Sequence, residues 1–495
     1  MDYEKIGFKC GLEIHQQLDT NKLFCNCLSL LRKDEPDFFI KRKLHAVAGE
    51  SGKVDIAAEH EMGKDKEFVY QGYDTTCLVE LDEEPPHEIN RGALKIALQI
   101  SLLLNCRILP LTQIMRKTVI DGSNTSGFQR TVLIAQDGYI ETEEGRVGID
   151  AVILEEDAAR IVSKALKAYP ETFPKEMFTK GNNETIYRLD RLGIPLIEVV
   201  TAPDIKTSEQ AKNVSMKIGE ILRACKVRRG IGTIRQDVSV SIKEGERIEM
   251  KGVQDLKLIV STINNEIKRQ IDLVKNKKSI AEVRRGNPDS TTSFLRPLPG
   301  SARMYPETDL PMLKISRDLI NEVKKTLPKK RGEVEEELKS RGLNHEMIKL
   351  IFKQNKLELF KELLKIVDNL NLVAKTLLVF PKQIASHNKL KLETVERRIE
   401  DNLPDILILV SKGKISESQI KQVLERIVKG RNLKEAIKFE KEDVNILEEG
   451  IRKIIKQKPG LSEKAYMGLV MKEFAGKVDG KEAMEIIQKH KGDLI

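Results

Sequence analysis

A carboxylate and an imidazole lie two residues apart near the start of the chain. The surrounding apolar residues fall on alternate positions, at Ile6, Phe8, Cys10, Leu12 and Ile14. This period of two predicts a β-strand whose opposite face carries Glu13 and His15. Such a pair could bind a metal ion or act as acid and base, and it could also be an ordinary polar face toward solvent. Taken alone, this strand favours the solvent-facing interpretation.

Charged residues recur on the polar faces of further strand-like segments. They are Glu198 in PLIEVV, Arg235 and Asp237 in IRQDVSVSI, Glu249 and Lys251 in RIEMKGV, and Glu155, Glu156 and Asp157 at the end of AVILEED. A buried carboxylate is costly without a partner, so acids collected on one sheet face need cations. Mg²⁺ is commonly held by one or two carboxylates while it binds substrate phosphates. The pattern therefore indicates an enzyme that uses a nucleotide.

Basic residues in the same part of the chain could contact the phosphates. The candidates are Arg235, Lys251, Arg296 and Arg303, because guanidinium and ammonium groups bind phosphate oxygens. The sequence contains neither the P-loop pattern G-x-x-x-x-G-K-[ST] nor the dinucleotide pattern G-x-G-x-x-G. A nucleotide would therefore bind through another arrangement.

The six cysteines are too few and too scattered for a disulfide framework in a chain of 495 residues. Cys25 and Cys27 form a C-x-C pair, but no second close pair follows that would complete a tetrahedral zinc site. This missing half-site favours structural thiols over zinc.

Composition is that of a folded protein, with 40% hydrophobic and 33% charged residues. No apolar stretch approaches the roughly 18 residues of a membrane span, and the first residues lack an apolar signal core. We therefore expect a cytoplasmic protein without a membrane partner. The formal net charge of +9 permits a nucleic-acid partner without requiring one.

The chain changes character along its length. Residues 1–312 mix strand and helix patterns and end in a segment rich in proline, which predicts an α+β domain. Residues 313–410 read as a helical domain, since 343–412 contain no glycine. Residues 411–495 predict a small helical tail, in which Asp479 and Glu482 form a capping box for the last helix. This tail carries 19 Lys and Arg against 14 Asp and Glu, so it could read an RNA backbone or be a solvated face.

Longer motifs carry a resemblance. GLEIHQQLDT, KLFCNC, LEEDAAR, LDRLGIPLIEVVTAPDI, GTIRQDVSVSI, KGVQDL and LRPLPGSARMYPETDLP resemble, in this order, the tRNA-dependent amidotransferase B/E family. The last motif has the form of the archaeal E branch, and the helical middle and basic tail are also similar. The resemblance therefore covers nearly the whole chain.

The resemblance implies a fold and a reaction. It implies an antiparallel-sheet cradle akin to glutamine synthetase, in which ATP and Mg²⁺ activate the side chain of glutamate carried by tRNA(Gln). Ammonia from an asparaginase-like glutaminase D subunit would then give the amide, in a heterotetramer of two D and two E subunits. Matching motifs place Glu13, His15, Glu156, Glu198 and Asp237 at the family's metal-binding positions. Lys251 matches a phosphate partner, and these residues other than His15 are the expected catalytic set.

One expected part is missing. Archaeal E subunits carry an inserted domain similar to one of bacterial aspartyl-tRNA synthetases, whereas only about forty residues separate Leu256 from Arg296 here, too few for such a module. Two other interpretations stay open. The chain could be a B-type subunit that works with an amidase A and a small C subunit, or a non-catalytic translation factor that binds tRNA.

Overall fold

The computed structural model describes the chain except residues 49–51, 163–183, 231, 299, 301–302, 330, 355, 438–443, 475–479 and 493–495. It divides into two compact units, Met1–Arg331 and Gly332–Ile495. None of the described helices is long and apolar enough to cross a membrane.

The first unit contains seventeen described strands. They are β1 Lys9–Gln17, β2 Phe38–Arg42, β3 Glu67–Gly72, β4 Arg107–Ile108, β5 Leu111–Thr112, β6 Ile114–Thr118, β7 Phe128–Thr142, β8 Gly145–Glu156, β9 Arg160–Ile161, β10 Glu184–Arg188, β11 Pro195–Thr201, β12 Ile234–Ser241, β13 Ile248–Lys251, β14 Glu282–Gly286, β15 Thr292–Pro297, β16 Met304–Pro306 and β17 Leu313–Lys314. Its described helices are α1 Ile56–Met62, α2 Arg91–Leu103, α3 Ser208–Ala224, α4 Ile259–Lys275 and α5 Arg317–Lys325.

A large sheet organises this unit. Its eleven strands run in the order β15-β14-β13-β12-β1-β11-β8-β7-β6-β16, and β4 also pairs with β7. The described neighbours pair antiparallel, apart from the parallel pair β13 and β14. A second sheet has the order β2-β3-β10-β9, and β17 pairs with β5. The predicted α+β class and mainly antiparallel sheet are confirmed.

Strand alternation separates the two faces of the large sheet. Apolar residues of β1, β12 and β13, such as Leu12, Val238 and Met250, lie in the main hydrophobic core together with helices α2, α3 and α4. Each helix contributes buried residues at helical spacing, for example Ile259, Ile263 and Ile267 of α4. The polar residues of β1, β12 and β13 therefore project from the other face.

The second unit is helical throughout its described part. Its α-helices are α6 Arg331–Ser340, which begins at the division, α7 His345–Lys353, α8 Leu357–Ile366, α9 Leu370–Ala374, α10 Phe380–His387, α11 Leu392–Glu400, α12 Leu403–Ser411, α13 Ile420–Val428, α14 Leu433–Ala436, α15 Val444–Gln457, α16 Glu463–Glu473 and α17 Gly480–Gly492. A π-helical turn, Lys375–Val379, joins α9 to α10, and a 3₁₀ turn, Glu417–Gln419, precedes α13. The predicted helical C-terminal region is confirmed.

The observed divisions differ from the predicted boundaries at 312 and 410. Helix α5 belongs to the first unit, because its Val323 is buried in the core of that unit. One hydrophobic cluster runs from Val334 to Ala436, across residue 410, and a separate cluster lies between Leu447 and Ile487. Asp479 of the predicted capping box lies outside the described residues, and α17 follows it directly.

Candidate functional site

Strand β1 lies inside the large sheet, with β11 on one side and β12 on the other. Its register places His15 opposite Glu198 of β11 and Arg235 of β12, while Glu13 lies opposite Asp237 of β12. Residues opposite each other in an antiparallel pair project from the same face. The sheet thus brings together side chains that are more than 180 residues apart in the chain.

One group of side chains, here named the His15 cluster, consists of His15, Glu155, Glu198 and Lys117. His15 Nε2 lies 3.6 Å from Glu198 Oε2 and 3.9 Å from Glu155 Oε1. Lys117 Nζ lies 2.5 Å from Glu155 Oε2 and 3.9 Å from Glu198 Oε2. Burial opposes the charge on Glu198, but Lys117 and His15 outweigh it and hold its pKa well below the usual range. Burial likewise opposes the charge on His15, yet the neighbouring carboxylates of Glu198 and Glu155 raise its pKa.

A second group, the Glu13 cluster, consists of Glu13, Asp237, Glu249 and Lys251. Lys251 Nζ lies 2.7 Å from Asp237 Oδ2 and 2.5 Å from Glu249 Oε1. Burial first, and then the charges of Glu249 and Glu198, raise the pKa of Glu13 to about 7. Glu13 Oε1 also lies 3.4 Å from Nη2 of Arg247, so the three acids on adjacent strands share one ammonium and one guanidinium group.

Both clusters fit a divalent cation. In each, three donor atoms lie within 4.8 Å of one another, from His15, Glu155 and Glu198 or from Glu13, Asp237 and Glu249. Carboxylate oxygens are what Mg²⁺ prefers, whereas imidazole is more usual for transition metals. The crowded charge that raises the pKa of Glu13 is what a bound cation would relieve.

The structure does not bring Glu156 into either cluster. Successive strand residues point to opposite faces, so Glu155 reaches the His15 cluster and Glu156 points away from it. Glu156 Oε2 accepts the backbone N–H of Arg130 at 3.1 Å, and Arg130 also pairs with the fully buried Glu307 at 2.8 Å. Burial raises the pKa of Glu156. Which of Glu155 and Glu156 faces the other acids depends on the register of β8. The sequence of three consecutive acids does not determine that register.

The predicted phosphate residues have different surroundings. Arg235 Nη2 pairs with Asp157 Oδ1 at 2.7 Å, and Lys251 lies in the Glu13 cluster. Arg303 Nε donates to the carbonyl of Thr118 at 3.4 Å, and burial followed by the charge of Arg296 lowers its pKa. Two arginines thus crowd each other beside strand β6, which carries Lys117. Lys117 itself was missed, because the short segment IMRKT gives no sign of which residue faces the acids.

A separate group of side chains surrounds the C-x-C pair. Single donor atoms of Cys25, Cys27, Cys77 and Glu80 lie within 4.8 Å of one another. Cys25 Sγ lies 2.8 Å from Glu80 Oε1, and the fully buried Lys22 places Nζ 3.3 Å from the same oxygen. Three sulfurs and a carboxylate suit tetrahedral Zn²⁺, and Lys22 would offset part of their negative charge. The preference for structural thiols stays a prediction; the structure adds that Cys77 and Glu80 lie beside the C-x-C pair although they are far from it in the chain.

Comparison with known proteins covers both units. Residues 8–321 match the family described as GatB/GatE catalytic domain, and residues 358–490 match the GatB domain. A protein of Methanocaldococcus jannaschii, named as the E subunit of glutamyl-tRNA(Gln) amidotransferase, is 36% identical over 99% of each chain. Proteins of the same name from Methanosarcina barkeri and Archaeoglobus fulgidus are each 32% identical, over at least 98% of each chain.

These alignments also bear on chain length. The alignment with the M. jannaschii protein has 646 positions, although this chain has 495 residues, so at least about 150 positions are filled only in the relative. The relative is thus longer than this chain, and the loss of an inserted domain stays a prediction.

Proposed function

This chain belongs to the GatB/GatE family, and we propose that it amidates glutamate carried by tRNA(Gln), using ATP and ammonia. It would be a carbon–nitrogen ligase of protein biosynthesis that acts in the cytoplasm. The observation that carries the proposal is the polar sheet face of the matched catalytic domain, where the His15 and Glu13 clusters lie on adjacent strands.

The chemistry explains why such a face is needed. A carboxylate is a poor acyl donor to ammonia, because its leaving group would be oxide. Phosphorylation breaks the bond between the γ-phosphorus and ADP and forms one to the glutamate side chain; ammonia then attacks the acyl carbon, and phosphate leaves. Bound Mg²⁺ would neutralise charge on the transferred phosphoryl group.

The chain's own residues have separate parts in this proposal. Glu155, Glu198 and His15 would hold one cation, and Glu13, Asp237 and Glu249 a second one. Lys251, Arg296 and Arg303 would bind phosphate oxygens, because their cationic groups form charge-assisted hydrogen bonds with phosphate. Arg235 forms an ion pair with Asp157 and would bind phosphate only after that ion pair breaks. Glu156 would support the sheet through Arg130 rather than bind metal.

The partners are part of the proposal. The relatives' name favours an E subunit over a B-type subunit working with amidase A and C subunits. Ammonia would come from an asparaginase-like glutaminase D subunit, in an assembly of two copies of each. The mainly antiparallel sheet with acids on one face supports a cradle similar to glutamine synthetase. The Cys25, Cys27, Cys77 and Glu80 group would hold a structural zinc ion.

The test supplies the purified chain with Glu-tRNA(Gln), ATP, Mg²⁺ and ammonium chloride. We expect Gln-tRNA(Gln), with no product when ATP is omitted. Free glutamine in place of ammonium should give no product, because the described cysteines belong to the Cys25 group or, like Cys10, Cys106 and Cys225, are buried with a raised pKa. Absence of ATP-dependent product with ammonium would refute the proposal.

A further inference from the structure

Lys117 lies where a bound cation would lie in the His15 cluster. Its ammonium group and the imidazole of His15 approach the same oxygen of Glu198, Oε2, at 3.9 Å and 3.6 Å. It also lies 2.5 Å from Glu155, whose side chain is 2% exposed. The amino group thus provides positive charge to both carboxylates, alongside the imidazole of His15.

An ammonium group and a divalent cation cannot share this space. The donor atoms of His15, Glu155 and Glu198 lie within 4.8 Å of one another, so a cation bound by them would lie close to Lys117 Nζ and repel it. Lysine can respond, because its charge sits on a flexible four-carbon stem. We propose that Lys117 competes with a divalent cation for Glu155 and Glu198, and that cation binding releases its ammonium to the phosphoryl group of the substrate.

The surroundings of Lys117 indicate where the released group would go. Strand β6 pairs with β16, which places Met304 opposite Lys117. The neighbouring Arg303 donates to the carbonyl of Thr118, the residue after Lys117. Burial first, and then the charge of Arg296, lowers the pKa of Arg303. An anion among these cations would relieve the repulsion, so a phosphoryl group there would draw Lys117 away from Glu155.

The role rests on the proposed function, since that supplies the cation and the phosphoryl group. While the γ-phosphoryl passes from ADP to the glutamate carboxylate, Lys117 would stay protonated and contact a non-bridging oxygen. It would gain and lose no proton, and its contribution would be electrostatic.

The first test measures Mn²⁺ binding to the full-length chain by electron paramagnetic resonance, without tRNA or ATP. Lys117→Met removes the charge at similar length and should tighten Mn²⁺ binding by about tenfold to a hundredfold, the range by which groups around a metal alter its affinity. Lys117→Arg keeps the charge and should not. Lys356→Met is the matched control, because Lys356 is 11% exposed and contacts two carboxylates of the second unit, Glu396 at 2.8 Å and Glu400 at 3.0 Å. It should leave Mn²⁺ affinity unchanged.

The same variants then separate the two parts of the inference. Phosphorylation of Glu-tRNA by Lys117→Met should fall by about a hundredfold even with the cluster saturated by metal, because one transition-state contact is lost. Unchanged or weaker Mn²⁺ binding in Lys117→Met would overturn the competition. Full phosphorylation in this variant would overturn the release to phosphate. Because Mn²⁺ binding requires no tRNA, these results are distinct from a failure of the amidation reaction.

A wild-type measurement covers the case in which Lys117→Met does not fold. Limited acylation of lysines, followed by peptide mass spectrometry, reports how accessible each amino group is. Mn²⁺ should increase labelling of Lys117 and leave Lys356 unchanged, and ATP added with Mn²⁺ should protect Lys117 again. Equal labelling of Lys117 with and without Mn²⁺ would contradict the proposal.

Discussion

Replacing Glu13 by glutamine should stabilise the metal-free protein at neutral and alkaline pH. Glu13 is crowded by Glu249 and Glu198 in a largely buried position, which raises its pKa from 4.5 to about 7. The folded protein therefore holds its proton more tightly than the unfolded chain does. The contribution of Glu13 to the stability of the wild type is therefore most favourable below about pH 4.5. This contribution should be lost as the pH rises through 7.

The magnitude follows from the change in pKa. Each pKa unit corresponds to about 1.4 kcal/mol, so the rise from 4.5 to about 7 sets an upper figure of about 3 kcal/mol for the stability lost above pH 7. Glutamine resembles the protonated acid and removes this loss. Glu13→Gln should thus gain about 2 kcal/mol over the wild type at pH 8 and little at pH 4.5.

Urea unfolding of the first unit at several pH values, in EDTA, measures the difference. Glu209→Gln is the control, because Glu209 lies at the exposed start of α3, with 64% of its side chain accessible. Mg²⁺ should make the wild type more stable than Glu13→Gln, since it would bind the wild type more tightly than the variant. Equal stability of Glu13→Gln and wild type at pH 8 in EDTA would refute the charge crowding inferred for the Glu13 cluster.

Three further predictions concern other parts of the chain. Glu198→Gln and Asp237→Asn should each abolish phosphorylation of Glu-tRNA while leaving the unfolding midpoint within a few degrees, because each removes a metal-binding charge at constant volume; normal Mg²⁺-dependent turnover would remove that residue from the site. Residues 444–495 follow the hydrophobic cluster that ends at Ala436, and deleting them should weaken tRNA binding strongly at low salt and less at high salt. If tRNA binding in a filter assay at low salt is unchanged, these residues have only a structural role. Cys77→Ala should lower bound zinc, measured by mass spectrometry, and reduce stability by several kcal/mol, whereas Cys106→Ala should keep its zinc; metal-free wild-type protein of full stability would contradict the site.

Local patterns predicted the strands better than the site. The period of two in β1, β12 and β13 identified which residues pack into the hydrophobic core, although Asp237 and Glu249 on the opposite face are buried as well. Helices α2 and α3 likewise bury apolar residues at helical spacing, such as Leu94 and Leu98 in α2 and Val214 and Ile218 in α3. These features depend only on residues near each other in the chain.

The missed features depend on contacts between distant residues. The family motif assigned Glu156 to a metal-binding position, whereas the register of β8 against β11 places Glu155 in the His15 cluster. Lys117 reaches Glu155 from β6, two strands away, and Glu80 completes a group with Cys25 from 55 residues further along. One hydrophobic cluster continues past the predicted boundary at 410 because α13 packs against α11, which a change in composition does not reveal. Tertiary packing decides each of these features.

The central claim is that the polar sheet face transfers a phosphoryl group to the glutamate side chain. It can be tested with Glu-tRNA(Gln) whose side-chain carboxylate carries oxygen-18, incubated with this chain, ATP, Mg²⁺ and ammonium chloride. Mass spectrometry of the released inorganic phosphate should find one heavy oxygen for each Gln-tRNA formed, because the bond to the acyl carbon breaks when ammonia attacks. Phosphate without the heavy isotope, or the isotope in AMP, would contradict the account.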